Sequence, residues 1–272
     1  MQSKKYEATR LLADDIQVAQ DVLVSEAPLQ ITINGVRYVT TMRTPDTHDL
    51  ELARGLLFTE GILSEDIQQL TSNEIVDPET GIAACLEIDV DESYVLVEVE
   101  GRRNQWSTSS CGVCGTRDAE DIAIYGAPLS ARNDAMLEKS SIAGLFETLE
   151  AEQVLFHETG GSHGAAIFGA SEDLLVARED IGRHNAVDKA IGHLLVAGKL
   201  PQARILLVSG RVSYEIVYKA YRAAIPILLS VSAPSSMAVD TCVQFGITLV
   251  AYCRENRATV YSHPERITGL DE

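Results

Sequence analysis

The chain has no apolar run long enough to cross a membrane, since no stretch approaches the roughly 20 residues that a spanning helix needs. Its first residues, MQSKKYEATR, carry charges without the apolar segment that follows them in a secretory signal. Internal repeats and low-complexity tracts are also missing from the sequence. These absences predict a cytoplasmic protein that has no membrane partner.

Basic residues are few compared with acidic residues. The sequence contains 22 Lys and Arg residues against 40 Asp and Glu residues, which gives a formal net charge of −18. Because a chain this acidic repels the phosphate backbone, we expect no general nucleic-acid binding. A phosphorylated ligand would need a local binding device, such as a helix N-terminus with a few well-placed arginines.

Cysteine is rare as well. The sequence has five cysteines, which are Cys85, Cys111, Cys114, Cys242 and Cys253. An odd and sparse set in a reducing compartment argues against a framework of disulfides. Only Cys111 and Cys114 have the spacing of a motif, and in STSSCGVCGT they lie among mostly small residues.

This thiol pair fits several kinds of site to different degrees. A structural zinc site needs four ligands, and a second C-x-x-C is missing. A thioredoxin-type dithiol lies at a helix start, whereas Gly112 and Gly115 favour a loop here. A sulfur carrier, in which a thiolate accepts sulfur and holds it as a persulfide, needs a loop that two partners can approach closely. Arg117, together with Arg102 and Arg103, would favour the thiolate form.

A zinc deaminase is a further possibility for the same cysteines. Such an enzyme carries [His/Cys]-x-Glu followed by Pro-Cys-x-x-Cys, and the glutamate moves protons. Cys85-x-Glu87 followed by Cys111-x-x-Cys114 comes near this pattern. However, Ser110 stands where the proline is required, and Cys85 and Glu87 lie in an alternating strand pattern and not at a helix start. These departures favour a chance match.

Changes in composition along the chain predict four segments. A flexible, polar N-terminus is followed by a smaller β-rich domain, then by a Gly/Ser-rich cysteine loop and linker, and finally by an α/β domain with the candidate ligand site. In chain order, these segments are residues 1–20, 21–105, 106–130 and 131–272. The predicted fold class is therefore α/β with a second, β-rich unit.

The β-rich domain has clear local signals. From 21 to 42, apolar and polar residues alternate around Asn34-Gly35, which indicates a β-hairpin with a type I′ turn. DLELARGLLFT predicts a helix that ends at Gly61. The segments IAACLEIDV and SYVLVEVEG predict two more strands of the same sheet.

The second half of the chain alternates helical patterns with uniformly apolar strands. ARILLVSGR, IPILLSVSA and ITLVAYC predict strands, with a helix between each pair. Such a βαβαβ run indicates a parallel sheet covered by helices on both faces. Before this run, the sequence predicts a helix over 134–150, short strands or hairpin arms in VLFHETGGSHGAAIFG, and a helix in NAVDKAIGHLLVAG.

The parallel run predicts a position for a ligand. In an open α/β sheet, ligands bind at the carboxyl ends of the strands, where loops lead to helix N-termini. The loops SGRVS and SAPSS occupy such positions, and their N–H groups with an arginine would form a phosphate-sized site; alternatively, their serines only cap the helices. The candidate residues are Ser209, Gly210, Arg211, Ser232 and Ser235. Arg254 and Arg257, after the third strand, would add charge at the same edge or lie in solvent.

Two further segments, GGSH and EDIGRHNAVDK, are dense in groups with chemical uses. Glycine beside Arg183, His184 and Asn185 suggests a close approach of the backbone to a ligand. Alternatively, this polar turn satisfies its own backbone groups, with Asn185 as the helix cap. His157 and His163 would suit a metal, but no cysteine or carboxylate accompanies them at a recognised spacing, so we expect no structural metal.

These landmarks occur together and in order. They are SEAPLQITING, DLELARGLLFTEGI, SSCGVCG, FHETGGSH, EDIGRHNAVDK, SGRVSYEIVYKA, SAPSSMAV and TLVAYCRENRATVYS. In this respect the chain resembles the formate dehydrogenase accessory sulfurtransferases, the FdhD family. The resemblance covers residues 20–265 approximately, and it is more specific than a lone C-x-x-C motif.

The resemblance implies a sulfur carrier protein that is required for formate dehydrogenase activity. Members of the family take persulfide sulfur from a cysteine desulfurase and transfer it to molybdenum (or tungsten) bis-molybdopterin guanine dinucleotide, which is then inserted into formate dehydrogenase. By motif position, Cys111 would hold the persulfide and Cys114 would assist or relay it. The cofactor-binding segment implied by the resemblance comprises Tyr252, Cys253, Arg254, Glu255, Asn256 and Arg257.

The resemblance also implies a cytidine-deaminase-like, three-layer α/β/α arrangement for the C-terminal domain, and a homodimer. Two alternatives stay open beside the sulfur carrier. One is a chaperone that binds the molybdenum cofactor without transferring sulfur, and the other is a zinc-dependent, deaminase-like hydrolase.

Overall fold

The structure, a computed structural model, describes residues 2–45, 48–64, 70–96, 126–129, 135–254 and 257–270. Among their helices, none combines the length and the apolarity that crossing a membrane requires.

The first two strands form an antiparallel hairpin. Strand β1 (Ser3–Leu11) pairs with β2 (Ile16–Val24) along its whole length. The sequence predicts a flexible segment over residues 1–20, whereas the structure has most of these residues in strands. Side chains on both faces of the hairpin are largely exposed, so the inward and outward alternation that marks a half-buried strand is weak in its sequence.

The N-terminal sheet contains β3 (Ala27–Ile33), β4 (Val36–Arg43), β5 (Leu70–Val76) and β6 (Ala83–Val90), in the order β4-β3-β6-β5. Asn34 and Gly35 join β3 to β4 with φ angles of 48° and 78°. This confirms the predicted type I′ turn, because both central residues of that turn need positive φ. Helix α1 (Asp49–Thr59), also predicted, packs on the sheet and buries Leu52 and Leu57.

Two other predictions for this unit have different outcomes. Cys85 and Glu87 lie in β6, within a strand and not at a helix start, as their alternating pattern predicts. The segment SYVLVEVEG was predicted to be a strand, but Glu92–Tyr94 form a 3₁₀ turn and Val95 makes an isolated bridge with Leu63. The remainder of that segment lies outside the described residues.

The C-terminal sheet contains β8 (His163–Phe168), β9 (Leu174–Asp180), β10 (Ile205–Val208), β11 (Ile227–Ser230), β12 (Thr248–Arg254) and β13 (Arg257–Ser262). Its strand order is β13-β12-β11-β10-β8-β9. Strands β10, β11 and β12 are parallel, as predicted, but β8, β9 and β13 run antiparallel to their neighbours. The sheet is therefore mixed, because short connections at both edges return the chain as hairpins.

Helices cover both faces of this sheet. One face packs against α4 (Arg183–Val196), α5 (Tyr214–Arg222) and α6 (Ser236–Phe245). The other packs against α2 (Ile142–Glu152) and a short parallel pair, β7 (Leu137–Glu138) with β14 (Ile267–Thr268). The helix predicted over 134–150 thus begins later. The layers agree with an α/β fold, while the cytidine-deaminase-like arrangement stays a prediction.

One element was assigned to the wrong class from sequence. The segment VLFHET was predicted to form a strand or hairpin arm, but it is helix α3 (Val154–Thr159). The carboxylate of Glu179, at the end of β9, accepts the backbone N–H groups of Leu155 and Phe156, each at 2.8 Å. A residue distant in sequence therefore satisfies N–H groups that the first turn of a helix leaves unpaired. The local sequence pattern of this segment gives no indication of such a contact.

The two sheets are joined through helices α1 and α4, which approach each other closely at two glycines. A Cβ atom added to Gly192 would lie 1.8 Å from the carbonyl oxygen of Glu51. One added to Gly55 would lie 1.9 Å from the carbonyl oxygen of Asp188. Only glycine permits this separation of the helices, so the position of α4 depends on the N-terminal unit.

Candidate functional site

The candidate site lies at the edge of the C-terminal sheet where β10, β11 and β12 end, called the carboxyl edge below. These strands are parallel, so their C-terminal ends meet there. Strand β9 ends at the same edge, because it is antiparallel to β8, which is antiparallel to β10. Helices α4, α5 and α6 follow β9, β10 and β11 and all begin at this edge. Several helix N-termini, each with a partial positive charge, therefore meet at one place.

The loops after the three parallel strands contact one another. The N–H of Val212 donates to the carbonyl of Ala233 at 3.1 Å, and the N–H of Ser235 donates to the carbonyl of Val212 at 2.9 Å. The N–H of Tyr252 donates to the carbonyl of Ser232 at 3.2 Å. The structure thus brings together the three segments that the sequence assigns to the strand ends.

His163 lies at the same edge, although it was considered from sequence only as a metal ligand. A Cβ atom on Gly210 would lie 3.3 Å from His163 Nδ1 and 3.5 Å from Arg183 Cβ. His163, Arg183 and the Gly210 backbone are therefore in close contact. Burial lowers the pKa of His163, and the positive charge of Arg183 lowers it further. Arg211 and His184 act in the same direction, against the opposing carboxylate of Asp180.

His184 is the buried member of this group, with 8% of its surface exposed. Its Nε2 lies 3.2 Å from Ser213 Oγ and 2.9 Å from Glu215 Oε2. Within the part of the chain that the structure describes, neither His184 Nδ1 nor Arg183 Nε has a hydrogen-bond partner. Because an unpaired buried polar atom is costly, these atoms indicate a place where a ligand would complete the bonding.

The serines of the two loops differ in what they do. Ser235 Oγ accepts the N–H of Ala238 at 3.1 Å, so this residue caps α6, as the alternative interpretation of the loop holds. Ser209 Oγ accepts the N–H of Gly164 and thereby ties β10 to the start of β8. Ser213 precedes α5 without a side-chain capping bond.

Asn185 is predicted from sequence to contact the cofactor or to cap the helix. The residue at the N-cap position is Gly182 instead. The Asn185 amide donates to Asp180 Oδ1 at 3.0 Å and to the carbonyl of Met42 at 2.8 Å, and so it connects α4 with the N-terminal sheet. Asp180 also forms a fully buried ion pair with Lys189, at 2.8 Å. This half of EDIGRHNAVDK therefore holds the two units together.

The segment Tyr252–Arg257 forms the end of β12, the connection and the start of β13. Tyr252 has a φ of 55°, and its side chain is exposed. Cys253 is 5% exposed and packs in the core on the α2 face, where burial raises its pKa to about 11. Arg254 and Arg257 are paired across the hairpin with exposed side chains. Glu255 and Asn256 lie outside the described residues.

Cys111 and Cys114 also lie outside the described residues, but the residues before and after that stretch have defined positions. The N–H of Leu96 donates to the carbonyl of Ile62, beside Gly61, which lies close to Arg222. Tyr221 Oη donates to the carbonyl of Ala127 at 3.0 Å. Tyr221 and Arg222 end α5, a nine-residue helix about 13 Å long. Both flanks therefore lie near side chains from the end of α5 that is opposite the carboxyl edge.

The two histidines that the sequence offers as metal ligands lie in different surroundings. His157 Nε2 lies 2.8 Å from the carbonyl oxygen of Glu150, at the junction of α2 and α3. His163 lies among the arginines of the carboxyl edge. Over the described ranges, no group of three or more His, Cys, Asp or Glu side chains has the arrangement of a metal site.

Comparison with known proteins agrees with the order of the motifs. A model of the FdhD/NarQ family matches residues 24–268. The chain belongs to this family. FdhD/NarQ relatives include the sulfur carrier protein FdhD of Mycolicibacterium paratuberculosis, which is 40% identical and aligns over 95% of this chain and 96% of its own length. The protein of the same description from Sulfolobus acidocaldarius is 38% identical, over 98% of this chain and 99% of that one.

A solved structure supports the fold of this FdhD/NarQ member. The crystal structure of a formate dehydrogenase accessory protein from Desulfotalea psychrophila superposes with a TM-score of 0.75 at 24% identity. The match covers 98% of this chain and 100% of the other. The superposition supports the fold, and the family model and the relatives confirm the resemblance that the sequence motifs indicate.

Proposed function

We propose that this protein is a sulfur carrier in the maturation of formate dehydrogenase. It accepts persulfide sulfur from a cysteine desulfurase on Cys111 and transfers it to molybdenum (or tungsten) bis-molybdopterin guanine dinucleotide. The cofactor is a bound substrate, held at the carboxyl edge before its insertion into formate dehydrogenase. The observation that carries this proposal is the meeting of several helix N-termini beside Arg183 and Arg211, in a chain whose relatives are described as sulfur carrier proteins.

The electrostatics of the carboxyl edge suit this substrate. A bis-guanine dinucleotide carries two pyrophosphate groups, and the protein as a whole has a formal net charge of −18. Binding therefore requires a local positive region, which the helix N-termini and the two arginines supply. Arg254, exposed at the end of β12, adds a further positive charge at this edge, and Tyr252 is exposed two residues before it.

The three cysteines that the structure describes are poorly suited to carrying sulfur, because their thiols are difficult to deprotonate. Burial raises the pKa of Cys242 to about 12 and that of Cys253 to about 11, so both are protonated at neutral pH. The pKa of Cys85 is also raised, by burial and by the nearby Glu87 carboxylate. Because the thiolate is the nucleophile, these three residues are disfavoured. The carrier role therefore falls to Cys111 and Cys114, as the motif predicts.

The transfer proceeds in two exchanges. First, the Cys111 thiolate attacks the outer sulfur of the donor persulfide, an S–S bond forms on Cys111, and the donor cysteine leaves as a thiolate. Next, the Cys114 thiolate attacks Cys111 Sγ, a Cys111–Cys114 disulfide forms, and the outer sulfur leaves as sulfide for the metal. The two thiols supply the two electrons that reduce the sulfur, and a cellular dithiol then reduces the disulfide.

The length of the chain allows the carrier to serve both partners. Cys111 is 15 residues from Leu96 and 15 residues from Gly126, which flank the segment. Fifteen residues span at most about 50 Å when extended, compared with about 13 Å from the C-terminal end of α5 to the carboxyl edge. The chain between each flank and Cys111 is therefore long enough to span the distance to the carboxyl edge.

Intact-mass measurement tests sulfur uptake. We expect the wild-type protein, incubated with a cysteine desulfurase and cysteine, to gain the mass of one sulfur atom. Cys111→Ala should abolish the gain, whereas Cys114→Ala should retain it, because Cys114 acts after loading. Cys85→Ala is the matched control and should behave as wild type. A wild-type protein that never gains sulfur, or equal gain in the Cys111 and Cys114 variants, would refute the carrier role.

A cofactor chaperone without sulfur transfer is the second candidate. It is favoured by the unpartnered atoms of Arg183 and His184, which indicate a ligand at the carboxyl edge whatever the thiols do. This function predicts that the Cys111→Ala/Cys114→Ala double variant still supports formate dehydrogenase activity in cells. Loss of activity in that variant, with cofactor binding retained, would exclude it.

A further inference from the structure

His163 is the residue at which three parts of the carboxyl edge meet. It begins β8, whose next residue donates its N–H to Ser209 Oγ at 2.9 Å. The Gly210 backbone lies so near that a Cβ atom there would come within 3.3 Å of His163 Nδ1 and 3.5 Å of Arg183 Cδ. The imidazole is therefore held in place against the loop after β10 and the first turn of α4.

Two arginines, a second histidine and one carboxylate face His163. From α4 come Arg183 and His184, from the loop after β10 comes Arg211, and from the end of β9 comes Asp180. The Asp180 carboxylate is already engaged by the Lys189 ammonium at 2.8 Å and by the Asn185 amide. Its negative charge is thus largely compensated, and the surroundings of His163 favour an anion.

Two buried atoms show that this place is incomplete without a ligand. His184 is more than nine-tenths buried, yet its Nδ1 has no hydrogen-bond partner among the residues described, and the same holds for Arg183 Nε. Both atoms belong to the first turn of α4, a 14-residue helix with free N–H groups at its start. An anion with several oxygens would satisfy Arg183 Nε and the N–H groups of this first turn together.

We propose that His163 is a phosphate-binding residue of the carboxyl edge, and that it takes up a proton from solvent when a nucleoside diphosphate group binds there. The proposal rests on the proposed function, since the substrate's guanine dinucleotide contains such groups. Nothing in the motif or in the family comparison assigns a role to this histidine.

The physical reason is the change in charge around the imidazole. In the free protein, burial and the neighbouring Arg183 keep the pKa of His163 below its usual range, so the ring is neutral at neutral pH. A bound phosphate offsets the repulsion from the arginines and accepts a hydrogen bond from the charged ring, which raises the pKa. A ligand that raises a pKa binds with uptake of protons, and binds more tightly as pH falls through the interval between the free and bound pKa values.

Calorimetric titration with GDP tests this coupling. Binding is measured between pH 6 and 8 in buffers of different ionisation enthalpy, which yields the number of protons taken up. We expect wild-type protein to take up more protons than His163→Gln, whose affinity at pH 6.5 should be about tenfold lower because a charge-assisted bond is lost. The terminal phosphate of GDP also titrates in this range, but it does so equally with every variant.

His157→Gln is the matched control, because it makes the same substitution at a histidine of α3 whose ring contacts α2 and not the carboxyl edge. It should bind GDP as wild type does. Arg211→Gln provides a second variant at an exposed position. It should weaken binding and also reduce proton uptake, since His163 then starts from a higher pKa. Thermal unfolding of each variant verifies that it is folded.

Either of two results would overturn the proposal. One is GDP binding with the same affinity and proton number in wild type and His163→Gln. The other is an absence of GDP binding by the wild-type protein, which would also remove the nucleotide part of the proposed function. Sulfur uptake by Cys111 is measured without nucleotide, so its failure is distinguishable from failure at His163.

Discussion

The two halves of the motif EDIGRHNAVDK show how residues of similar chemistry come to serve different purposes. Arg183 and His184 lie at the carboxyl edge, and each has a buried nitrogen without a partner in the described structure. Asn185, Asp188 and Lys189 follow directly on the same helix, but they turn towards α1 and the N-terminal sheet, where hydrogen bonds and ion pairs engage them. We call the latter group, together with its ion-pair partners Asp180 and Lys219, the inner polar cluster.

These two groups differ in how completely their polar atoms are paired. A sequence segment rich in reactive side chains therefore does not by itself locate a binding site. Charged groups in the inner polar cluster are compensated within the protein: Asp188 by Lys219 and Thr59, Asp180 by Lys189. These ion pairs and hydrogen bonds stabilise the contact between the C-terminal domain and the N-terminal unit. The groups at the edge are incompletely paired, and this is the property expected of residues that await a ligand.

The largest expected effect on the free energy of unfolding comes from removing one charge of the inner polar cluster. Lys219 Nζ donates to both carboxylate oxygens of Asp188 at 2.8 Å and to Thr59 Oγ1 at 3.0 Å. Lys219→Met should lower the free energy of unfolding at pH 7 by about 3–5 kcal/mol, because it leaves a buried carboxylate without its counter-charge. Urea denaturation measures this loss, and Lys199→Met, at an exposed lysine, should change it by less than about 0.5 kcal/mol.

The pH dependence of the stability of Lys219→Met identifies the cause of its lower free energy of unfolding. Burial raises the pKa of Asp188 in the folded state, and Lys219 opposes this rise. Without the lysine, folding takes up a proton, so the variant should be least stable, relative to wild type, at pH 8 and recover as pH falls towards 5. A deficit independent of pH would indicate lost packing instead. Asp188→Asn/Lys219→Met should restore much of the stability at pH 7.

Close packing between α1 and α4 supports the inner polar cluster and gives the next largest effect. Gly192→Ala would place a Cβ atom 1.8 Å from the carbonyl oxygen of Glu51, so the helices must separate. We expect a loss of about 1–3 kcal/mol or more in the free energy of unfolding. Gly144→Ala on α2, where nothing lies within 4 Å, should instead stabilise the protein by up to about 1 kcal/mol. Equal effects of the two substitutions would contradict the role given to the α1–α4 contact.

Much of the fold could be predicted because its signals are local. The Asn34-Gly35 turn, helix α1 and the alternation of β10, α5, β11, α6 and β12 are each encoded by neighbouring residues. Since parallel strands have their carboxyl ends at one edge, the position of the candidate site followed from the same pattern. The elements that were missed depend on distant contacts, as α3 does on Glu179.

The candidate site was predicted less completely for the same reason. The sequence assigns Asn185 to the ligand or to the helix cap because it follows a glycine in a polar turn, and no local pattern could show its contact with the carbonyl of Met42, 143 residues away. His163 was not assigned to the edge, because only the pairing of β8 with β10 brings it beside Gly210. Its one local signal was the pair of glycines before it in GGSH.

The smallest expected effect on stability is at the carboxyl edge. It directly tests the contrast between the first turn of α4 and the inner polar cluster. Arg183→Ala should change the free energy of unfolding by less than about 0.5 kcal/mol, because the residue is partly exposed and its Nε has no hydrogen-bond partner in the described structure, yet it should weaken GDP binding about tenfold. Asn185→Ala, two residues further on, should show the opposite balance: a loss of about 1–3 kcal/mol in stability, with a smaller change in GDP affinity. Urea denaturation and GDP titration of the two variants measure both quantities. If Asn185→Ala weakened binding more than Arg183→Ala without loss of stability, the division of α4 into a ligand-facing turn and an inner polar cluster would be wrong.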